Sequence, residues 1–173
     1  GINIMLALDV SASMLSDDVE PNRIEAAKAV AREFISSRPN DNIGLTIFAG
    51  EAFTQCPMTT DHTSLLNLLG AVRGDLSTTG LIQDGTAIGM GLATAVNRLK
   101  ESKAKSRVII LLTDGVNNTG VIDPLIAAEL AADPKNVKGF TLENVTLTGA
   151  GNVGGAGVTQ GNKNGLILIH TVR

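Results

Sequence analysis

The stretch from Ile2 to Ser13, INIMLALDVSAS, decides the fold and contains the first candidate functional residues. Its apolar run is continuous rather than alternating, which is typical of a parallel strand buried on both faces. The run ends in Asp9, Ser11 and Ser13, one carboxylate and two hydroxyls spaced two residues apart. Hard oxygen ligands of this kind suit Mg²⁺, and ligand sites of open α/β sheets form at the carboxyl ends of the strands. The stretch therefore predicts a buried strand that brings oxygen ligands to one edge of a sheet.

Two later segments supply matching side chains. Thr86 lies in QDGTAIGMG, just before a predicted helix, and Asp114 ends the apolar run SRVIILLTDG. Each residue alone has a plainer explanation: Thr86 could be only a helix N-cap, and Asp114 with its following glycine could be only a turn. Their combination in this order favours a metal site whose ligands are Asp9, Ser11, Ser13, Thr86 and Asp114.

This combination resembles the von Willebrand factor A (VWA) domain with its metal-ion-dependent adhesion site (MIDAS), and is similar in particular to the bacterial aerotolerance (Bat) branch. The resemblance covers about residues 1–132 and is carried by LALDVSASM, PNRIEAAKAVAREFI, RPNDNIGLTIFAGEAFTQCPMTTD, DGTAIGMGLATAVNRLKESKAKSRVIILLTDGVNNTG and DPLIAAELA. It implies that Ser11, Ser13 and Thr86 contact Mg²⁺ or Mn²⁺ directly, and that Asp9 and Asp114 hold the ion directly or through water. It also implies an open coordination position that accepts a carboxylate from a partner protein.

Strands alternate with helices along this part of the chain. The predicted strands span 3–10, 43–49, 52–56 and 107–113, and the predicted helices span 21–36, 61–72, 86–99 and 123–132. The alternation predicts a doubly wound, mostly parallel α/β sheet with helices on both faces, which is a VWA-like or Rossmann-like architecture. The short connection before 52–56 predicts a hairpin, and therefore one antiparallel edge strand.

Helical spacing predicts which side chains face the core. The inward positions of the 21–36 helix are Ile24, Ala27, Val30, Ala31, Phe34 and Ile35, and its outward positions are Glu25, Lys28, Arg32 and Glu33. The inward positions of the 61–72 helix are Leu65, Leu66, Leu68 and Leu69.

The sequence departs from that family at residues 133–173, which form an irregular, β-rich tail of Gly, Asn and Thr without helical period. We expect a strand at about 137–142 that still pairs in the sheet, a bulge or turn near residues 143–144, and a last strand at 165–172. The tail could instead be a fused segment, or the chain could be artificial. We treat 1–173 as one domain whose missing last helix leaves one sheet face partly uncovered.

Composition excludes several classes of function. A net charge of −3 without a basic run, and an aromatic content of 2%, argue against nucleic acid as a partner. The single cysteine, Cys56, excludes an internal disulfide and is interpreted as a small buried residue. No stretch reaches the roughly 18 apolar residues of a membrane helix, so we expect this segment not to insert into a membrane. Since the chain opens inside a strand without Met, we expect it to be part of a longer protein with its anchor or export signal elsewhere.

The resemblance implies a binding module with no catalytic residues: a metal-dependent adhesion or scaffolding domain of a membrane-anchored protein in the bacterial cell envelope, with related membrane proteins among its partners. One alternative is a fragment of a β-helix carbohydrate-active enzyme, which the tail vaguely resembles. Such an enzyme needs paired carboxylates, and residues 136–173 contain only Glu143. A metal-dependent phosphohydrolase is a second alternative, but the chain lacks a nucleophilic aspartate pair and a basic phosphate clamp.

Overall fold

A computed structural model describes residues 1–18, 20–100, 102–104, 107–114 and 119–121, together with the backbone of residues 165–171. A single 3-10 turn, Ala12–Leu15, follows the first strand. The remaining elements are β1 (Asn3–Asp9), α1 (Arg23–Ser36), β2 (Asn42–Phe48), β3 (Ala52–Thr59), α2 (His62–Gly70), α3 (Ile88–Leu99), β4 (Arg107–Thr113) and β5 (Gly165–Thr171).

These strands form one five-stranded sheet in the order β3-β2-β1-β4-β5. β1 pairs in parallel with β2 and β4, and β4 pairs in parallel with β5. Only β2 and β3 are antiparallel, which confirms the predicted hairpin and its edge strand. β1 is therefore central, and the carboxyl ends of β1, β2 and β4 meet at one edge of the sheet.

Helices pack against both faces of this sheet, as predicted. Ile4, Leu6 and Leu8 of β1 share one buried cluster with apolar residues of α1 and α2. On the opposite face α3 approaches β2 so closely that a Cβ atom on Gly91 would lie 2.8 Å from the ring of Phe48. The small residues of α3 therefore permit the close packing of that helix.

Capping side chains place the helix boundaries slightly inside the predicted ones. The side chain of Asn22 accepts a hydrogen bond from the amide of Glu25, so α1 begins at Arg23 rather than at Pro21. The carboxylate of Asp61 accepts from the amide of Ser64 and caps α2 in the same way. β3 runs to Thr59 rather than to residue 56, with shifts of register against β2.

Three side-chain predictions are wrong. Lys28, predicted to face outward, is buried, because its Nζ donates to the carbonyls of Gly70 and Val72 at 3.2 and 3.0 Å and so neutralises the carboxyl end of α2. Val30 and Leu68, predicted to face inward, are each 37% exposed. α1 and α2 are in contact, and the bonds of Lys28 to the end of α2 place this lysine on the side that the two helices share.

Replacing Lys28 with methionine is expected to lower the free energy of unfolding by about 1–3 kcal/mol, because the carbonyls of Gly70 and of the buried Val72 lose their donor. Urea denaturation measures this change. Arg32→Met, on the exposed side of the same helix, removes the same charge and should change stability by less than about 0.5 kcal/mol. Equal stability of Lys28→Met and the unmodified chain would contradict the prediction.

Several predictions for the carboxyl-terminal part lie outside the described residues: the helix at 123–132, the strand at 137–142 and the bulge near 143–144. The last predicted strand is confirmed as β5, which lies parallel to β4 with Gly165 opposite Arg107. That 1–173 forms a single domain stays a prediction. None of the helices in the described part of the chain has the length and apolar character needed to span a bilayer.

Candidate functional site

The predicted site residues lie on loops at the carboxyl edge of the sheet. β1 ends at Asp9 and its parallel neighbour β4 ends at Thr113, with Leu8 opposite Leu112 in the register. The 3-10 turn after β1 carries Ser13. The topology therefore brings the loops that follow β1 and β4 side by side.

Asp9 is completely buried and held by two donors. Its Oδ1 accepts from the amide of Ser11 at 2.8 Å, and its Oδ2 accepts from the hydroxyl of Thr113 at 2.6 Å. One donor comes from each of the two loops. The position of this carboxylate is therefore set by both strands.

Two hydroxyls extend the network to the second carboxylate. The Oγ atoms of Ser11 and Ser13 lie 3.1 Å apart, and the hydroxyl of Ser13 donates to Oδ1 of Asp114 at 3.1 Å. Asp114 is 1% exposed, whereas Ser13 is exposed to solvent. Asp9, Ser11, Ser13 and Asp114 thus form one connected cluster that solvent can reach from the side of Ser13.

Thr86 is buried on a third loop, which is fastened to the loops after β1 and β2. The amide of Ala87 donates to the carbonyl of Ala49 at 2.7 Å, and the amide of Ala12 donates to the carboxylate of Asp84 at 3.2 Å. Because α3 begins at Ile88 with Ala87 in the cap position, Thr86 is not the N-cap of this helix. Thr86 therefore precedes the cap position, and its role as a metal ligand stays a prediction.

The electrostatics of the cluster favour a cation. Burial raises the pKa of Asp9 to about 6, the hydrogen bonds from Ser11 and Thr113 oppose this rise, and the charge of Asp114 adds to it. The buried charge of Asp9 therefore carries a cost that a bound cation would remove. The donors are all hard oxygens, as Mg²⁺ and Mn²⁺ prefer.

The composition of the cluster limits the kind of metal it could hold. Within the described residues, no three side chains of His, Cys, Asp or Glu come together as a metal-binding group. The cluster offers two carboxylates, and its other ligands are hydroxyls. It fits a magnesium-type ion, and its donors do not suit zinc.

Arg23 is a site residue that the sequence interpretation missed. Its Nη1 donates to Oδ2 of Asp114 at 2.6 Å, while Nε and Nη2 donate to the two oxygens of Asp18 at 2.7 and 2.6 Å. These hydrogen bonds raise the pKa of the guanidinium further above its usual range, and the bonds to Asp18 have the larger effect. A signal was available, since Arg23 is the first residue of α1 and a cation is unfavourable at a helix amino terminus.

The sequence also predicts that Glu51 and the pair Asn117–Asn118 lie on loops at the rim of the metal site. Oε1 of Glu51 accepts from the amide of Gln83 at 3.3 Å, so Glu51 contacts the loop that carries Thr86. The asparagines lie outside the described residues. Thr113 and Asp84, which hold Asp9 and the loop after β1, were not predicted.

Cys56 is not a candidate nucleophile. It is 3% exposed, and burial together with the nearby charge of Asp61 raises the pKa of its thiol. A raised thiol pKa lowers the thiolate fraction, and the thiolate is the reactive form. The interpretation of Cys56 as a small buried residue is confirmed.

The family model of the von Willebrand factor type A domain matches residues 4–117 of the chain. All five candidate metal ligands lie within this match.

Two curated relatives are similar over most of the chain. An uncharacterized protein of Borreliella burgdorferi is 41% identical over 124 residues, which are 70% of this chain and 35% of that protein. A UPF0353 protein of Mycolicibacterium paratuberculosis is 31% identical over 169 residues, which are 92% of this chain and 48% of that protein. The chain thus spans between about a third and a half of the length of these relatives.

Two solved structures share both fold and sequence with the chain. The conserved hypothetical protein BatB from Bacteroides thetaiotaomicron is 36% identical with a TM-score of 0.69, covering 82% of this chain and 66% of that one. An aerotolerance-related membrane protein from Bacteroides fragilis is 38% identical with a TM-score of 0.63, covering 69% of this chain and 57% of that one. The expected similarity to the aerotolerance branch is confirmed by these two structures.

Proposed function

Because the chain belongs to the von Willebrand factor type A family, we propose that it is a protein-binding module whose binding depends on a divalent metal ion. The proposed ligands form the cup, which we define as Asp9, Ser11, Ser13, Thr86 and Asp114. The proposed ion is Mg²⁺ or Mn²⁺. The proposed role is adhesion or scaffolding without catalysis.

One observation carries this proposal: Ser11 and Ser13 connect the buried carboxylates of Asp9 and Asp114 through three hydrogen bonds at one edge of the sheet. The amide of Ser11 donates to Oδ1 of Asp9, and the Oγ atoms of Ser11 and Ser13 lie 3.1 Å apart. The hydroxyl of Ser13 then donates to Oδ1 of Asp114 at 3.1 Å. A structural cap or turn would not require two buried acids at the same edge. A cation site explains why they are kept together.

The donor set also supports binding of an acidic group from a partner. When bound, the ion would supply a Lewis-acidic position. Neutral hydroxyl ligands neutralise less of the positive charge of the ion than carboxylate ligands would. The side of the cup at Ser13 is open to solvent, so a carboxylate of a partner protein has access to it. Asp9 and Thr113 fix the floor of the cup through a 2.6 Å hydrogen bond.

The location and the partners are proposed from the relatives. One similar protein is described as an aerotolerance-related membrane protein. We therefore place the domain in a membrane-anchored protein of the bacterial cell envelope, with related membrane proteins as partners that offer a carboxylate.

Calorimetric titration of Mg²⁺ and Mn²⁺ into the chelator-treated chain tests the proposal. We expect saturable binding to one site, weakened at least tenfold, or about 1.4 kcal/mol, in Asp114→Asn. Glu33→Gln removes the same charge from an exposed position on α1 and should bind like the unmodified chain. A folded chain that gives no saturable binding would overturn the proposal.

A further inference from the structure

The guanidinium of Arg23 joins the cup to an acidic residue outside it. Nη1 lies 2.6 Å from Oδ2 of Asp114, and the opposite side of the guanidinium binds both oxygens of Asp18 at 2.6–2.7 Å. The backbone of Arg23 is fixed as well, because its amide donates to the carbonyl of Ser16 at 2.9 Å. A permanent cation is thus held in direct contact with one of the proposed metal ligands.

The two oxygens of Asp114 have different partners. Oδ1 accepts from the hydroxyl of Ser13 and so faces the cup, whereas Oδ2 accepts from Arg23. The side chain of Asp114 is 0% exposed and that of Arg23 is 18% exposed. Water therefore screens this ion pair poorly, and part of the charge of Asp114 is already compensated before any metal binds.

We propose that Arg23 is an internal counter-cation that competes with the divalent ion for Asp114 and thereby lowers the metal affinity of the cup. The proposal rests on the metal-binding function proposed above. Its physical basis is that two cations attracted to the same buried carboxylate repel each other, and low exposure strengthens that repulsion. Because arginine stays protonated at all physiological pH values, this competition does not depend on pH.

Asp18 adjusts the strength of this competition. It binds Arg23 through a bidentate pair, and its side chain is 49% exposed. Asp18 draws the guanidinium charge away from Asp114, so its removal would leave Arg23 with a single carboxylate. Loss of Asp18 and loss of Arg23 should therefore change the metal affinity in opposite directions.

If Arg23 had a different role, its replacement would change the metal affinity in the opposite direction. If Arg23 served only to hold Asp114 in place for the metal, removing the guanidinium would disorder that ligand and weaken metal binding. The sign of the change in affinity therefore separates a counter-cation from a positioning residue.

The test is calorimetric titration of Mg²⁺ into the chelator-treated chain and its variants. We expect Arg23→Gln to bind Mg²⁺ about tenfold more tightly, Arg23→Lys to stay near the unmodified chain because it keeps the charge, and Asp18→Asn to bind severalfold more weakly. Arg38→Gln is the matched control. Arg38 also pairs with an aspartate, Asp41 at 3.1 Å, but it lies just beyond the other end of the 14-residue helix α1, roughly 20 Å from Arg23.

The outcomes separate the inference from the function on which it rests. Unchanged or weaker binding by Arg23→Gln, beside normal binding by the unmodified chain, overturns the counter-cation role alone. Binding by Arg23→Gln when the unmodified chain binds nothing supports the role but removes the proposed function from the native chain. Absence of binding in every variant overturns both.

Thermal unfolding tests the same inference without a measurement of the metal affinity. In chelator, Arg23→Gln should melt at a lower temperature than the unmodified chain, because Asp114 loses its counter-charge. Saturating Mg²⁺ should remove that difference, since the ion then compensates the same carboxylate. A deficit that persists in saturating Mg²⁺ would identify a purely structural ion pair and overturn the inference.

Discussion

Replacing Asp9 with asparagine is expected to stabilise the metal-free protein at pH 7 and to abolish its binding of Mg²⁺. Burial, with a further contribution from the charge of Asp114, raises the pKa of Asp9 from 3.8 to about 6. At pH 7 the fold therefore holds a charged group where the neutral form is preferred, at a cost of up to about 3 kcal/mol. Asparagine removes that cost. The amide oxygen of asparagine can accept from the amide of Ser11, and its NH₂ group can donate to the hydroxyl oxygen of Thr113, so both contacts are kept.

The pH dependence has a definite sign. Because the pKa of Asp9 is higher in the folded than in the unfolded chain, the folded chain binds more protons between about pH 4 and pH 6, and stability falls as the pH rises through this window. The penalty is absent below the window and complete above it. The advantage of Asp9→Asn over the unmodified chain should therefore grow by up to about 3 kcal/mol between pH 4 and pH 7.

Urea denaturation in chelator at several pH values measures this difference. Asp17→Asn, which changes an exposed carboxylate of the same loop, should follow the unmodified chain at every pH. Saturating Mg²⁺ should stabilise the unmodified chain and leave Asp9→Asn unaffected. A stability difference that does not vary with pH would show that burial of the Asp9 charge is not the cause.

Asp9→Asn would show that metal binding and the stability of the metal-free fold place opposite demands on this one residue. If Asp9→Asn is the more stable chain, then Asp9 is an acid that weakens the metal-free fold at the centre of the sheet edge. That is the expected signature of a residue kept for binding a cation rather than for folding. Asp114 differs from Asp9 in this respect, because its charge is compensated within the chain by Arg23 at 2.6 Å.

Strands buried on both faces were the most predictable elements. β4 has the predicted bounds, 107–113, and β1 ends one residue before its predicted end, because burial on both faces favours a continuous run of apolar side chains. The edge strand β3 was predicted too short. All of its side chains except that of Cys56 are partly buried or exposed, and Pro57 follows Cys56, so its sequence resembles a loop beyond that residue.

The site residues that end or follow strands were predictable from the sequence. Those that bind partners far away in the sequence were not. Asp9, Ser11 and Asp114 were recognised because the topology of a parallel sheet collects the residues that end neighbouring strands. Arg23 was missed because its partner Asp114 is 91 positions away, a distance that no local pattern spans. Lys28 was misplaced for the same reason, since the carbonyls it binds lie at the end of a different helix and just beyond it.

Gly50→Ala is expected to lower the free energy of unfolding by about 1–3 kcal/mol and to weaken Mg²⁺ binding severalfold. A Cβ atom at this position would lie 2.4 Å from the carbonyl oxygen of Asp84 and 2.8 Å from that of Gln83. Both are backbone atoms, so relief requires movement of the segment itself. The hydrogen bond from the amide of Gly50 to the carbonyl of Gln83, 2.7 Å long, would be strained by the same movement.

The effect on metal binding follows from the position of that segment. Asp84 is two residues before Thr86, so a displaced backbone moves the third loop of the cup away from the loops after β1 and β4. Gly70→Ala is the matched control: a Cβ atom there would meet nothing within 4 Å, and alanine at the end of α2 should leave stability unchanged or raise it by up to about 1 kcal/mol. Urea denaturation and Mg²⁺ titration of both variants measure the two effects. If Gly50→Ala lost stability but bound Mg²⁺ as tightly as Gly70→Ala, Thr86 would not be a ligand and the cup would consist of the loops after β1 and β4 alone.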